Sequence, residues 1–303
     1  MAAFIVIAFH LCEPHATSHI TQVVNHGYLA VDFFFLLSGY VIGYAYDDRW
    51  NKLTIGGFLR RRIERLQPLV VLGMTLGAIG FYFTDSTIWP LIHTVPLWKL
   101  LVVMLIGYTL LPIPLSMDIR GWQEMHPLNS VGWSLFFEYV ANILYAIGLR
   151  KLSTKGLSVL VLLAAAVLIH FAVTNPNGDV TGGWTLTPEQ VRVGLTRTIF
   201  PFFGGLLLSR VARPMKVKNA FLWCSLLLSA VLFMPRIGGT GHLWMNGLYE
   251  SVCIIVVFPV IVYLGASGSV DSESEKRICR FLGDLSYPLY MTHYTLVYFM
   301  WRG

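Results

Sequence analysis

Charge is what this sequence has least of. Only 13% of its 303 residues are Asp, Glu, Lys or Arg, while 55% are hydrophobic, against roughly a quarter charged in an ordinary soluble domain. That shortage excludes a single buried core wrapped in a polar shell. There is no Ser-rich linker, low-complexity tract or repeat at a solenoid period, so residues 1–303 are expected to form a single membrane domain. There is no CxxC pair: Cys12, Cys224, Cys253 and Cys279 are scattered, and Cys224 and Cys253 sit in apolar segments as small buried thiols. No Gly-x-Ser-x-Gly elbow is present to mark a serine nucleophile. The N-terminus lacks the basic region of a signal peptide. Its apolar run, Ala2 to Leu11, makes about 15 Å of helix, too short to span, and the first helix is expected to begin upstream of Met1.

What the sequence does have is apolar length. Ten segments stand out: 2–12, 28–46, 68–84, 97–113, 132–149, 156–174, 196–209, 219–235, 247–266 and 281–301. About 20 apolar residues cross roughly 30 Å of hydrocarbon. The fold expected is an all-α integral membrane protein, a polytopic bundle of about ten transmembrane helices in the cell inner (plasma) membrane, in contact with lipid.

The net charge of +6 reads as loop topology and not as a nucleic-acid footprint. Lys and Arg collect at Arg49 to Arg65, Arg150 to Lys155, Arg210 to Lys218 and Lys276 to Arg280, whereas loops 13–27, 85–96 and 175–190 have none. By the positive-inside rule the basic loops are cytoplasmic. Three apolar segments separate the basic loops 47–67 and 150–155, which would put those loops on opposite faces. One of 68–84 and 97–113 is therefore re-entrant, or one basic loop breaks the rule.

Ionisable groups inside apolar spans cost several kcal/mol, so each is a functional candidate. His10 ends the first run and can carry a proton near neutral pH, as a general base must. Asp32 opens Ala30-Val-Asp-Phe-Phe-Phe-Leu-Leu-Ser-Gly-Tyr40, with Ser38 in the helix middle. Its carboxylate could orient the His10 imidazole or simply sit on the helix dipole. Arg62 and Arg65, three apart, share a helix face, either as anchors or as phosphate ligands. In Trp133-Ser-Leu-Phe-Phe-Glu-Tyr-Val-Ala-Asn142, Ser134, Glu138 and Asn142 recur every four residues as a polar stripe that must face the protein interior or an aqueous cavity. Ser286, Tyr290 and His293 share a face of the last segment, as packing or as site lining. His15 and His19 have the spacing of a metal pair, but no third ligand accompanies them, and no metal is expected.

These same stretches resemble the acyltransferase-3 family of membrane acyltransferases, which includes bacterial O-antigen and exopolysaccharide acetyltransferases. The likeness lies in Phe9-His10, Val31 to Tyr40, Phe58-Leu-Arg-Arg-Arg-Ile-Glu-Arg-Leu-Gln-Pro68, Trp133 to Glu138 and Leu282-Gly-Asp-Leu-Ser-Tyr-Pro-Leu-Tyr-Met-Thr-His293, in family order. There are departures. The family's arginine eleven residues before the histidine would precede Met1, Ala30 stands for Gly, and Gln67 for an aromatic.

The resemblance implies transfer of an acyl group, most simply acetyl, from acyl-CoA as donor substrate to a hydroxyl of a carbohydrate or glycolipid acceptor, with no permanently bound cofactor. His10 matches the essential histidine, Glu138 and Asp32 the acidic positions, and Arg62 and Arg65 the arginine pair expected to hold coenzyme A. His10 is then the base that activates a hydroxyl, oriented by Asp32 or Glu138. Ser38, Trp133, Ser134, Asn142, Ser286, Tyr290 and His293 are the expected site lining. The rival reading is a transporter or flippase for a polar lipid-linked saccharide; no inverted repeat in the hydropathy supports it.

Overall fold

The computed structural model describes residues 1–83, 92–239, 241–269 and 272–300. Residues 84–91 and 301, at the edges of the expected segments 68–84 and 281–301 and in loop 85–96, lie outside the described residues. Backbone that leaves water must satisfy its own hydrogen bonds, which favours helix wherever an apolar run is long enough. Each of the ten apolar segments accordingly falls on helix. The elements are α1 (Ala2–Cys12), α2 (Ala30–Tyr46), α3 (Ile55–Phe83), α4 (Leu97–Tyr108), α5 (Gly132–Ile147), α6 (Thr154–Thr174), α7 (Pro188–Val211), α8 (Ala220–Leu232), α9 (Leu243–Val252), α10 (Phe258–Ala266) and α11 (Glu273–Met300). A π turn, Cys253–Val257, joins α9 to α10.

Five stretches are long and apolar enough to cross a membrane: Gly27–Lys52, Ile55–Phe83, Thr154–Thr174, Pro188–Val211 and Leu243–Ala266. That is fewer than the expected ten. Four fall short in length: Ala2–His15, Leu97–Tyr108 and Ala220–Leu232 are apolar but short, and α5 has 16 residues. The fifth, α11, has 28 residues but is too polar, opening on Glu273-Ser-Glu-Lys-Arg277. α3 runs unbroken through Pro68, so the basic cluster and the apolar segment after it are one helix.

The tightest contact is α2 on α7. A Cβ on Gly39 would lie 1.8 Å from the Phe202 carbonyl oxygen, and one on Gly205 2.0 Å from that of Leu36. Only glycine lets the two backbones approach this closely, the device by which membrane helices gain dispersion contact without a hydrophobic driving force. Across the same interface Asp32 and Arg197, both buried, form an ion pair of 2.6 Å.

Loops gather by charge. Arg210 donates to Asp47 and to the carbonyls of Arg150 and Leu152, and the Arg150 guanidinium lies 4.0 Å from the Trp50 ring centre. Three of the four basic loops therefore meet at one end of the bundle. A second set of loops gathers elsewhere: His19 and Arg236 both bind Asp179, and the Met125 amide donates to the Trp184 carbonyl.

Candidate functional site

Among the described residues, two cavities lie among the same four helices, which order them along the bundle axis. The first, of about 450 Å³, is lined by Val6, His10 and Glu13 of and after α1, by Tyr28 and Val31 before and in α2, by Trp133 of α5, and by Tyr290 and Tyr294 of α11. The second, of about 380 Å³, takes Met1 to Ala3, then Val31 to Val41, then Ser134, Leu135 and Glu138, then Gly283 to Tyr290. The two sets occupy successive stretches of α1, α2, α5 and α11, so the cavities are stacked. Val31 and Tyr290 line both. The Tyr290 hydroxyl is 2.6 Å from that of Ser134, which makes this pair part of the wall between them.

In the first cavity His10 is mostly buried, and its Nδ1 lies 2.9 Å from Glu13 Oε2. An ionised Glu13 makes Nδ1 the donor and leaves the Nε2 lone pair for a substrate proton, the tautomer a general base needs. The Tyr294 ring meets the His10 ring edge-on at 4.7 Å, and the His293 ring lies 5.3 Å away. His293 Nδ1 is 2.8 Å from the Tyr290 carbonyl oxygen, and its buried Nε2 has no partner.

His10 is thus not oriented by Asp32 or Glu138, as the sequence suggested. Asp32 is fully buried against Arg197, whose guanidinium also donates to the carbonyls of Gly182 and Tyr28. A buried carboxylate takes the nearest cation. Arg197, alone in an apolar stretch, was the signal that went unread. Glu13, three residues after His10, was the other.

Glu138 belongs to the second cavity. It accepts from Arg62 Nη2 at 2.5 Å and from the Ser38 hydroxyl at 2.7 Å. Arg62 is buried, Arg65 is exposed, and both line this cavity with Ser134, Ser286 and Tyr290. Asn142 lines neither cavity: its amide turns back to the Glu138 carbonyl. Trp133 faces the first cavity, not the second. His15 and His19 sit in separate short turns, Glu13–His15 and His19–Thr21, and not on one helix face. His19 bonds Asp179 instead, at 2.9 Å.

Sequence reasoning also missed two loops over the first cavity. An antiparallel bridge joins Glu124 to Thr185 and brings Trp122, Glu124, Thr181 and Trp184 to its lining. Gly183 has φ +108°, and a Cβ there would lie 2.8 Å from the Trp133 ring, so glycine seats this loop. Burial raises the Glu124 carboxyl above its usual range, against the opposing pull of its Ser130 hydrogen bond and the Arg120 charge. Burial would raise the Asp179 carboxyl too. Here the His19 hydrogen bond and the charges of His19 and Arg236 outweigh it and hold the group below the usual range.

Comparison with known proteins agrees with this chemistry. The family profile described as "Acyltransferase domain" matches residues 1–303. "Protein 2 in picA locus" of Rhizobium radiobacter is 35% identical over 174 residues, 55% of this chain and 89% of that protein. Two Staphylococcus aureus proteins, from strains COL and N315, carry the name "Putative O-acetyltransferase". Each is 22% identical over 325 residues, covering 97% of this chain and 49% of theirs. The chain thus spans about half the length of those staphylococcal relatives. No solved structure matches. From end to end, the chain belongs to the acyltransferase-3 family.

Proposed function

We propose that this acyltransferase takes an acyl group, most simply acetyl, from acyl-CoA and places it on a hydroxyl of a cell-surface carbohydrate, working in the plasma membrane that it crosses several times. The observation that supports the reading is the stacking of the two cavities: His10 with Glu13 in one, Arg62 and Arg65 in the other, and Tyr290 between. Guanidinium groups suit the phosphates of coenzyme A by bidentate geometry. The imidazole suits proton removal from a hydroxyl that is a poor nucleophile on its own.

In this reading His10 Nε2 takes the acceptor hydroxyl proton as the oxygen attacks the thioester carbonyl carbon. The tetrahedral centre collapses, the carbon–sulfur bond breaks, and the thiolate recovers the proton from the imidazolium. Glu13 stabilises that imidazolium. Arg62, held by Glu138, and Arg65 fix the donor from the far cavity.

The test supplies acetyl-labelled acetyl-CoA to membranes carrying the chain. Alkali-labile label should appear on envelope carbohydrate, and His10→Ala should slow its appearance about 10²–10⁴-fold. Movement of unmodified saccharide across the membrane without ester formation would give the protein to the transporter class instead.

A further inference from the structure

The first cavity has a wall chemistry of its own, beyond the residues assigned to acyl transfer. Trp122, Trp133 and Trp184 line it together with two carboxylates, Glu13 and Glu124. Flat aromatic faces beside hydrogen-bonding side chains suit a sugar ring, which has apolar C–H faces and a polar edge. Two wall residues also carry polar atoms without partners. Gln22 is 6% exposed and its Oε1 is unmatched; the Thr181 hydroxyl is unmatched too. Buried polar atoms are nearly always hydrogen-bonded, so these two call for ligand groups or water from the cavity side.

The charges are more telling. Among the described residues of the lining, Arg197 is the one Lys or Arg, and it already makes four hydrogen bonds, to Asp32 twice and to the carbonyls of Gly182 and Tyr28. The remaining basic groups are His10, turned to Glu13, and His19, turned to Asp179. An anionic sugar would bring its carboxylate to a wall whose cations all face carboxylates already. A charge left desolvated and unpaired is strongly unfavourable, so the wall rejects what it cannot pair.

We infer that this cavity is the acceptor chamber and that it admits an uncharged sugar unit, stacked on Trp122 and Trp184 with hydroxyls toward Gln22, Glu124 and Thr181, while excluding uronic and other acidic sugars. The inference rests on the proposed acyl transfer only for the word acceptor; sugar binding itself needs no donor.

That independence sets the experiment. Detergent-purified chain is titrated, without acyl-CoA, with matched oligosaccharides, neutral cello- and chito-oligomers against oligoglucuronides, and followed by tryptophan fluorescence and calorimetry. At least one neutral oligomer should bind saturably, at least tenfold more tightly than its uronate counterpart. Trp122→Ala should weaken it about tenfold, as should Trp184→Phe, a milder change at a site closer to the core. Trp98→Phe, an exposed site on α4 away from the cavity, is the control that leaves binding intact. Equal or tighter binding of the uronate overturns the inference. So does neutral binding that survives both tryptophan changes, or no saturable binding by any neutral oligomer. Acetyl-CoA affinity, measured on the same preparation, stands apart: its absence would sink the donor assignment and leave the sugar result to be judged alone.

Discussion

At the scale of single residues, three carboxylates have three different occupations, and mutation should tell them apart. Glu13 touches His10, Glu138 touches Arg62, and Asp32 touches Arg197. Removing one partner of a fully buried ion pair costs about 3–5 kcal/mol, because the other charge is stranded. Asp32→Ala should therefore lower the thermal midpoint and the yield of folded protein, as measured by size-exclusion profile on heating. His10→Ala should keep the fold and lose about 10²–10⁴ in rate. Glu13→Gln should keep it too and lose rate, because the amide retains shape but no longer offers Nδ1 a charged acceptor that fixes the ring. A Glu13→Gln enzyme with the wild-type rate would free His10 from Glu13. For Arg62→Ala and Arg65→Ala, a lost charge-assisted hydrogen bond is worth about 1.5–3 kcal/mol, one to two decades in donor affinity. Calorimetry with acetyl-CoA reads this directly, and unchanged affinity in both would return them to the role of topology anchors.

At the scale of elements, apolar length was legible and side-chain direction only partly so. Each of the ten hydrophobic runs has helix over most of its described length, since lipid leaves the backbone no other partner. The four-residue spacing of the polar stripe on α5 predicts one face, yet Ser134 and Glu138 line the cavity and Asn142 does not. At about 100° per residue, eight positions rotate the side chain about 80° from the first, enough to leave a narrow cavity. On α11, Ser286 lines the second cavity, whereas His293, seven residues and about 10 Å along the axis, lines neither of the two cavities and packs beside His10. Interhelix partners such as Arg197 for Asp32 lie 165 residues apart and no local period could reveal them. The glycine seam of α2 and α7 is open to direct test. Gly39→Leu would drive a side chain into the Phe202 carbonyl, which has no room for even one carbon. The two helices should separate, costing at least about 1–3 kcal/mol as overpacking does. Protease sensitivity and loss of Arg62–Arg65-dependent donor binding together would report it, and a fully stable Gly39→Leu protein would show that the helices can part without penalty.

At the scale of the whole molecule, charge and cavity order describe the same axis. The loops around Asp47, Arg150 and Arg210 are joined at one end, although three apolar segments lie between the first two. The parity conflict in the sequence disappears if one of those segments does not cross. α4 is the natural one, since its 12 residues reach only about 18 Å. The second cavity carries Arg62 and Arg65 and opens beside the basic cluster of α3; the first is roofed by the loops of residues 13–22 and 181–184, which contain no Lys or Arg. A donor bearing phosphates and made inside the cell would enter from the basic side, and a surface carbohydrate from the other. The acyl group would then have to pass the Tyr290–Ser134 wall while the phosphates stay behind. This orientation makes a prediction that needs no activity assay. In a background with the four cysteines replaced, Asn177→Cys and Lys151→Cys each place a thiol at an exposed loop position at one of the two ends. A membrane-impermeant maleimide applied to intact cells should label the thiol at position 177, and should reach the one at 151 only after the membrane is opened. The expected pattern rests on the positive-inside rule, since Lys and Arg resist translocation; the reverse pattern would invert the donor and acceptor sides. Equal labelling of both from outside would remove the two-sided arrangement altogether, and with it the reason for a wall between the cavities.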